Sequence, residues 1–343
     1  MLKLRRGVVT RADPLRVRVG AEERRAWADE GLVGEVLEGD EVIVNTDALD
    51  LGLGSGGFDV VHVNLTRGLD GPGAEEATAM KLNYTSLQHP VDPVEARTSQ
   101  NEGYRGDSGT FGDGDARSIP VLVLSLHGQL APAAWAAGRE GREMRIGYIQ
   151  TAGGALPGSL SDDVAELRRN GLICEHVTAG PAYGGEIEAL TVIGALQAAT
   201  GSLGWDAAIA GPGPGIGGSG SALGHGGMAA LDTVHASLIL GLDTLIAPRM
   251  SSADPRPRHR GLSHHTATVL RMLLGKVRVP APAAEPSPWP RIGPGEGPLV
   301  ELREACGDRH EIWPREARVD EYAASGLPAT HMGRAIADDR LFF

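Results

Sequence analysis

The chain has 343 residues, 41% hydrophobic and 22% charged, the composition of a folded globular protein long enough for two or three modules. A formal net charge of -12 argues against nucleic acid as a partner, because phosphate affinity comes mainly from Lys and Arg; an aromatic content of 4% leaves few platforms for stacking bases. Cys174 and Cys306 lie far apart and fit reduced thiols, and no apolar run approaches the length of a membrane span, so the sequence reads as a cytoplasmic protein with no membrane partner.

Residues 1–66 alternate apolar and polar positions in short runs, as in Val17-Arg18-Val19 and Val42-Ile43-Val44, with Gly39-Asp40 as a turn before the latter. That pattern predicts a small antiparallel β-barrel or sandwich. Residues 67–118 read as a connector, and its part from about 90 onward, rich in Gly, Asp, Ser and Pro, reads as a surface loop. From residue 119 strands and helices alternate. Ile119–Leu124, Met144–Ile149, Asp206–Ala210 and Thr244–Ala247 are the predicted strands. Helices are expected near 130–138, 161–170 (capped by Ser159 or Ser161 and stopped by Gly171), 186–200, 227–240 and 263–274. The fold class expected over 119–279 is therefore α/β, Rossmann-like and mostly parallel, with ligands at the carboxyl ends of the strands. Residues 280–298, with Pro280-Ala281-Pro282 and Gly293-Pro294-Gly295, read as a Pro/Gly-rich linker, and 299–343 as a C-terminal segment holding a strand and a helix.

Four loops at predicted strand ends carry candidate chemistry. The glycine-rich tract from Gly211 to Gly227 follows a strand and opens a helix, and Gly215, Gly217 and Gly220 match G-x-G-x-x-G, so its amides, with Ser219 and His225, are candidate ligand contacts. It lacks the Lys-Ser/Thr of a nucleotide P-loop, and Asp243 falls before the next strand rather than after it. A close-packed crossover that tolerates only Gly explains the tract as well. Thr151, Gly153 and Gly154 after the second strand can bind a carboxylate or phosphate, or form a structural turn. His127 after the first strand is a candidate acid or base, and Glu186 joins the set if its loop lies on the same rim.

The densest segment is Ser251 to His265, with Asp254, Arg256, Arg258, His259, Arg260, His264 and His265. Two of the three arginines can clamp a carboxylate or phosphate. Ser263 is the expected N-cap of a helix that holds His264 and His265 in its first turn, where the helix dipole favours neutral imidazoles. Neutral His accepts protons or binds metal, but His259, His264 and His265 lack a recognised ligand spacing, so neither a metal nor a cofactor is specified. Asp254 can orient a His or pair with an Arg. The bland reading is a solvated basic loop.

Asn45 to Asn64, Gly215 to Gly227, Ser251 to His265, Leu327-Pro328 and Met332-Gly333-Arg334 together resemble an uncharacterised bacterial domain-of-unknown-function family, DUF3866. That resemblance covers nearly the whole chain except the loop around 92–117, and implies no activity. A looser fold-level likeness, on the β module and Asp70-Gly71-Pro72-Gly73-Ala74-Glu75, is to the substrate-binding component of glycine reductase. That family makes a pyruvoyl group at a Cys, and the comparable stretch Ala179 to Gly185 has none, so the likeness implies that this chemistry is absent here.

The expectation is a pocket for a small anionic metabolite, a nucleotide or phosphorylated compound. As an enzyme, Arg256 and Arg258 would hold the anion, His264 or His265 would transfer protons, and the glycine loop would stabilise developing charge. The rivals are a non-catalytic ligand sensor and a homo-oligomer whose Arg and His residues make subunit contacts.

Overall fold

A computed structural model of the chain describes residues 1–96, 118–283 and 297–335, apart from 55, 70, 72, 74–76, 140–142, 253, 317, 328–329 and 332–333. Most of the loop expected around 90–118, the linker beyond residue 283, and Pro328, Met332 and Gly333 thus lie outside the described residues. The chain divides into two compact units, Met1–Asp92 and Pro93–Phe343. No described helix is long and apolar enough to cross a membrane.

The first unit contains a closed barrel of β1 (Leu4–Arg11), β2 (Arg16–Val19), β3 (Glu22–Trp27), β4 (Glu41–Asn45) and β5 (Asp59–Asn64), in the order β1-β2-β3-β5-β4. All neighbours are antiparallel except β3 and β5. The period-two valines explain it: Val9, Val17, Val42, Val44 and Val61 point inward and form the core with Val33 and Val36. Short helices α1 (Glu30–Val33) and α2 (Asp47–Asp50) lie between strands. Within the expected connector, β6 (Ala79–Lys81) and β7 (His89–Val91) form an antiparallel pair.

The second unit is built on an eight-stranded sheet. Its strands are β8 (Pro120–Val123), β9 (Ile146–Thr151), β10 (His176–Ala179), β11 (Ile187–Ala189), β12 (Ala207–Pro212), β13 (Asp243–Ile246), β16 (Arg278–Pro282) and β17 (Glu311–Arg315). The order is β11-β10-β9-β12-β8-β13-β16-β17, and every pairing is parallel. All six residues of β9 and of β12 are buried, as a parallel strand covered on both faces requires. One face packs through Val121, Val123 and Val177 against residues of α5 (Val192–Thr200), α6 (Ala229–Ile239), α7 (His264–Met272) and α8 (Pro298–Cys306). The other packs through Ile146, Tyr148 and Ile209 against α3 (Leu130–Gly138), α4 (Asp162–Arg169) and α9 (Val319–Ala323).

Helix α4 shows how local sequence sets these boundaries. The Ser161 hydroxyl accepts from Val164 N, Asp162 and Asp163 occupy the first turn, Arg168 and Arg169 the last, and Gly171 adopts φ 68° beyond the end. Ser161, not Ser159, is therefore the cap. Two segments depart from expectation. The helix near 186–200 begins only at Val192, where Thr191 caps it; Ile187–Ala189 instead extends the sheet as β11, with Glu188 accepting from Thr178 Oγ1. Pro280-Ala281-Pro282 is strand β16 rather than linker. Ala283 N donates to Arg315 O, so residues 279, 281 and 283 face β17 while both prolines face β13, which pairs only at Arg278 and asks for no N–H from them.

In an all-parallel sheet the carboxyl ends of the strands share one edge. Strands β9, β12, β8 and β13 are consecutive there, and they precede the four loops that carry every candidate residue except Glu186, which follows β10.

A Cβ on Gly147 in β9 would run into the indole of fully buried Trp205. Gly147→Ala is expected to lower stability by about 1–3 kcal/mol, the usual range for overpacking, in urea unfolding followed by circular dichroism; an unchanged midpoint would contradict this packing.

Candidate metal centre

Two glycine loops meet backbone to backbone at the carboxyl edge. A Cβ on Gly153 would collide with the Gly226 carbonyl, one on Gly226 with the Gly153 carbonyl, and one on Gly154 with the Gly213 carbonyl. Gly153 has φ 109°, a left-handed conformation that favours Gly. The tract then folds back on itself: Gly226 N donates to Gly217 O at 2.9 Å and Ser219 N to Gly224 O at 2.7 Å. Ser219 Oγ bonds within this exposed tip, and Gly215 and Gly220 take positive φ in it. The fold-back bridges Gly218 to His225 and leaves the His225 side chain buried.

The loop after β13 is organised by Asp254. Arg249, 1% exposed, donates through Nη2 to Asp254 Oδ2 at 2.8 Å and through Nη1 to His259 O at 2.8 Å. Arg256 donates to the same carboxylate from its backbone N (2.9 Å), Nε (3.1 Å) and Nη2 (3.1 Å), and Arg260 donates to the Asp254 carbonyl. Burial raises the Asp254 carboxyl, but the bonds from Arg256 and the charge of Arg249 outweigh it and hold the group well below the usual carboxylate range. A two-residue ladder, β14 (Met250–Ser251) with β15 (Gly261–Leu262), closes the loop, and Glu301 accepts from Leu262 N at 2.7 Å. Ser263 caps α7 as expected, its Oγ accepting from His265 N at 3.3 Å.

These two loops bring three histidines together. His225, His264 and His265 each offer a ring nitrogen, and the three atoms lie within 4.8 Å of one another. The His225 and His265 rings stack at 3.7 Å, and the His264 ring stands edge-on to both, 5.3 and 4.3 Å away. His225 is 7% and His265 9% exposed. Both nitrogens of His225, Nε2 of His264 and Nδ1 of His265 are buried without a hydrogen-bond partner. All three imidazoles are held neutral, chiefly by burial: His265 falls to about 2, with His225, His264 and His259 adding to the effect, and His264 is lowered further by His225 and the charges of Arg258 and Arg256. Burial also lowers His225, against the pull of the Ala222 backbone nearby.

His259 borders the trio, its ring 4.9 Å from His264 and 4.8 Å from His265, but its nitrogens are engaged. Its Nε2 accepts from Arg258 Nε at 3.3 Å, so Nδ1 carries the proton and donates to Ser263 Oγ at 2.8 Å. Burial and the charges of Arg256 and Arg249 lower it to about 3.

The remaining candidates form a second cluster. His127 Nδ1 donates to Pro212 O at 3.1 Å, and Nε2 accepts from Ser161 Oγ at 2.7 Å. Tyr148 donates to the same Pro212 carbonyl and stacks on His176, whose Nε2 bonds Gln150 Oε1. Thr151 Oγ1 bonds the Ala152 carbonyl. Glu186 is held by Arg168 and by His176 N, beside a pocket of about 230 Å³ lined also by Gly158, Ser159 and Ser161. No hydrogen bond or ring contact links His127 or Glu186 to the histidine trio. Sequence reasoning named His225 apart from His264 and His265 and passed over Arg249. A charged residue directly after a predicted strand, in Ala247-Pro248-Arg249, was the available signal.

The family described as "Protein of unknown function (DUF3866)" matches residues 25–343. The chain belongs to that family. No curated protein and no solved structure matches it.

Two consequences are measurable. Asp254→Asn leaves Arg249 buried without its counter-charge, and is expected to cost about 3–5 kcal/mol and to expose the 250–265 loop to limited proteolysis; wild-type resistance would count against the hub. Burial lowers His127 and His176 to about 4, so between about pH 6.5 and 4 the unfolded chain binds protons that the folded chain refuses. Stability is then full above about pH 6.5 and falls as pH drops toward 4, by at most about 1.4 kcal/mol per pH unit per histidine. The His127→Gln, His176→Gln double variant should flatten that decline in chemical unfolding at a series of pH values; an unaltered slope would refute the assignment.

Proposed function

We propose that His225, His264 and His265 bind one divalent transition-metal ion, and that the loaded site holds a small anionic metabolite. The observation that carries this reading is the set of buried ring nitrogens with no hydrogen-bond partner. Each orphaned polar group costs on the order of 1–3 kcal/mol, and one ion bound by all three rings would offset several such costs together. Neutral imidazole is the ligand form metals require. Tetrahedral coordination with bonds near 2.1 Å needs nitrogens roughly 3.4 Å apart; the present atoms lie within 4.8 Å of one another, and because an imidazole lone pair lies in the ring plane, the stacked His225 and His265 rings must turn out of their stack to converge on one ion.

The donor set selects the metal class. Three imidazoles suit zinc, copper, nickel or iron rather than calcium or magnesium, which prefer oxygen. Three protein ligands leave at least one position for an exogenous group, the pattern of catalytic rather than structural sites. There the ion would supply Lewis acidity to a bound water or oxyanion. In this reading His264 and His265 hold the metal instead of transferring protons. His259 orients Ser263 and Arg258, and Asp254 fixes the loop that carries them. The Rossmann-like reading rests on the parallel sheet alone.

Chelator-stripped protein titrated with Zn(II) or Co(II) is expected to bind one ion per chain by calorimetry and to melt at a higher temperature when loaded. His225→Ala and His265→Ala should each weaken binding by more than the roughly 10–100-fold that loss of an outer-shell partner costs. Undiminished binding in these variants, or no binding at micromolar metal, would sink the proposal.

A further inference from the structure

We infer that the group completing this centre is a small oxyanion, a carboxylate or phosphate, clamped between the open metal position and the guanidinium of Arg258. The inference rests on the metal reading above and deepens it by naming the ligand class and the residue that selects it.

The three arginines of the loop are not equivalent. Arg256 is bonded to the Asp254 carboxylate three times, and Arg260 spends its Nε and Nη2 on the Asp254 carbonyl. Arg249 is buried and committed to Asp254 and to His259 O. Arg258 is exposed, and its one hydrogen bond among the described residues runs from Nε to His259 Nε2. Both of its terminal nitrogens are left to donate. That single bond also aims it: His259 packs edge-on or tilted against His264 and His265, so the guanidinium is tethered to a ring bordering the trio.

Charge makes the same selection. Four guanidiniums (Arg249, Arg256, Arg258 and Arg260) lie on a loop whose own carboxylate is Asp254, and Glu301 adds a second at Leu262 N; imidazoles that bind metal do so in the neutral form and contribute no charge. A divalent ion adds two further positive charges at a largely buried position. Such a surplus favours an anionic ligand over a neutral one. Planar, two-donor recognition by Arg suits carboxylate and phosphate oxygens. One oxygen of the anion would take the metal position while another accepts from the Arg258 terminal nitrogens.

The test uses the Co(II)-loaded full-length chain, titrated separately with inorganic phosphate and with acetate while the visible Co(II) bands are followed. A saturable change with either anion is expected, and the stronger responder identifies the class. Arg258→Gln should weaken that response at least about tenfold while its Co(II) affinity stays within about threefold of wild type. Arg271→Gln, which removes a charge from an exposed position on α7, should behave as wild type. If Co(II) binds but neither anion alters its spectrum, or Arg258→Gln responds as wild type does, the oxyanion inference fails and the metal reading stands. If Co(II) does not bind, the metal reading fails and takes this inference with it.

Discussion

The candidate centre depends on one buried ion pair, Arg249 with Asp254. A guanidinium that is 1% exposed and a carboxylate that is 2% exposed are tolerable in a protein interior only when they face each other and their remaining hydrogen-bond groups are used. Here most of them are used on the loop itself. Arg249 reaches the His259 carbonyl, and Asp254 gathers its own Ser251 contact, Arg256 and Arg260. The loop is thereby braced by its own contacts, and the bracing reaches the histidine trio through two short links. One is the β14–β15 ladder that delivers the chain to Ser263. The other is Ser263 itself, whose oxygen both caps α7 and accepts from His259.

The third histidine of the trio arrives from elsewhere in the chain, and topology explains how. Strands β12 and β13 both pair with β8, on opposite sides, so the loops that follow them leave the same edge one strand apart. The loop after β12 is directed by glycine: Gly153 against Gly226 and Gly154 against Gly213 bring backbones closer than any side chain allows. His225 stands immediately before that crossing. The glycines of the tract therefore serve packing at Gly213 and Gly226, while Gly215 and Gly220 supply left-handed turns in a fold-back that ends at His225.

This arrangement also explains what could be read from the amino acids alone. Alternating valines declared the barrel, strand–helix alternation declared the parallel sheet, and Ser263 before two histidines declared the start of α7, because each is a local pattern with a local cause. Residues 187–189 and 280–282 were misread because a three-residue edge strand carries too little periodicity to compete with an adjoining helix, and because proline is disallowed in a strand only where its neighbour needs the missing N–H. The partnership of His225 with His264 and His265 had no local signature. It follows from strand order, which depends on packing across the whole sheet. Arg256, Arg258 and Arg260 looked alike in sequence and differ only through Asp254.

Two histidine clusters rise from the carboxyl edge of this sheet, and their hydrogen bonding separates them. Around His127 both ring nitrogens are satisfied, one by a backbone carbonyl and one by the hydroxyl that caps α4, and the neighbouring Tyr148 and His176 are likewise bonded. Such a network is complete, and it fixes tautomers and joins loops without asking for anything from outside. Around His225 the rings touch one another, stacked and edge-on, while four of their nitrogens are buried with no hydrogen-bond partner. Proteins seldom leave several such atoms together unless a further group completes them. Protons are a poor candidate, since the His225 and His265 rings, stacked at 3.7 Å, disfavour each other as cations, and Arg258 and Arg256 disfavour a cation at His264 beside them. A metal ion would satisfy three nitrogens at once, keep the imidazoles neutral, and leave Arg258 beside the trio to select what binds next.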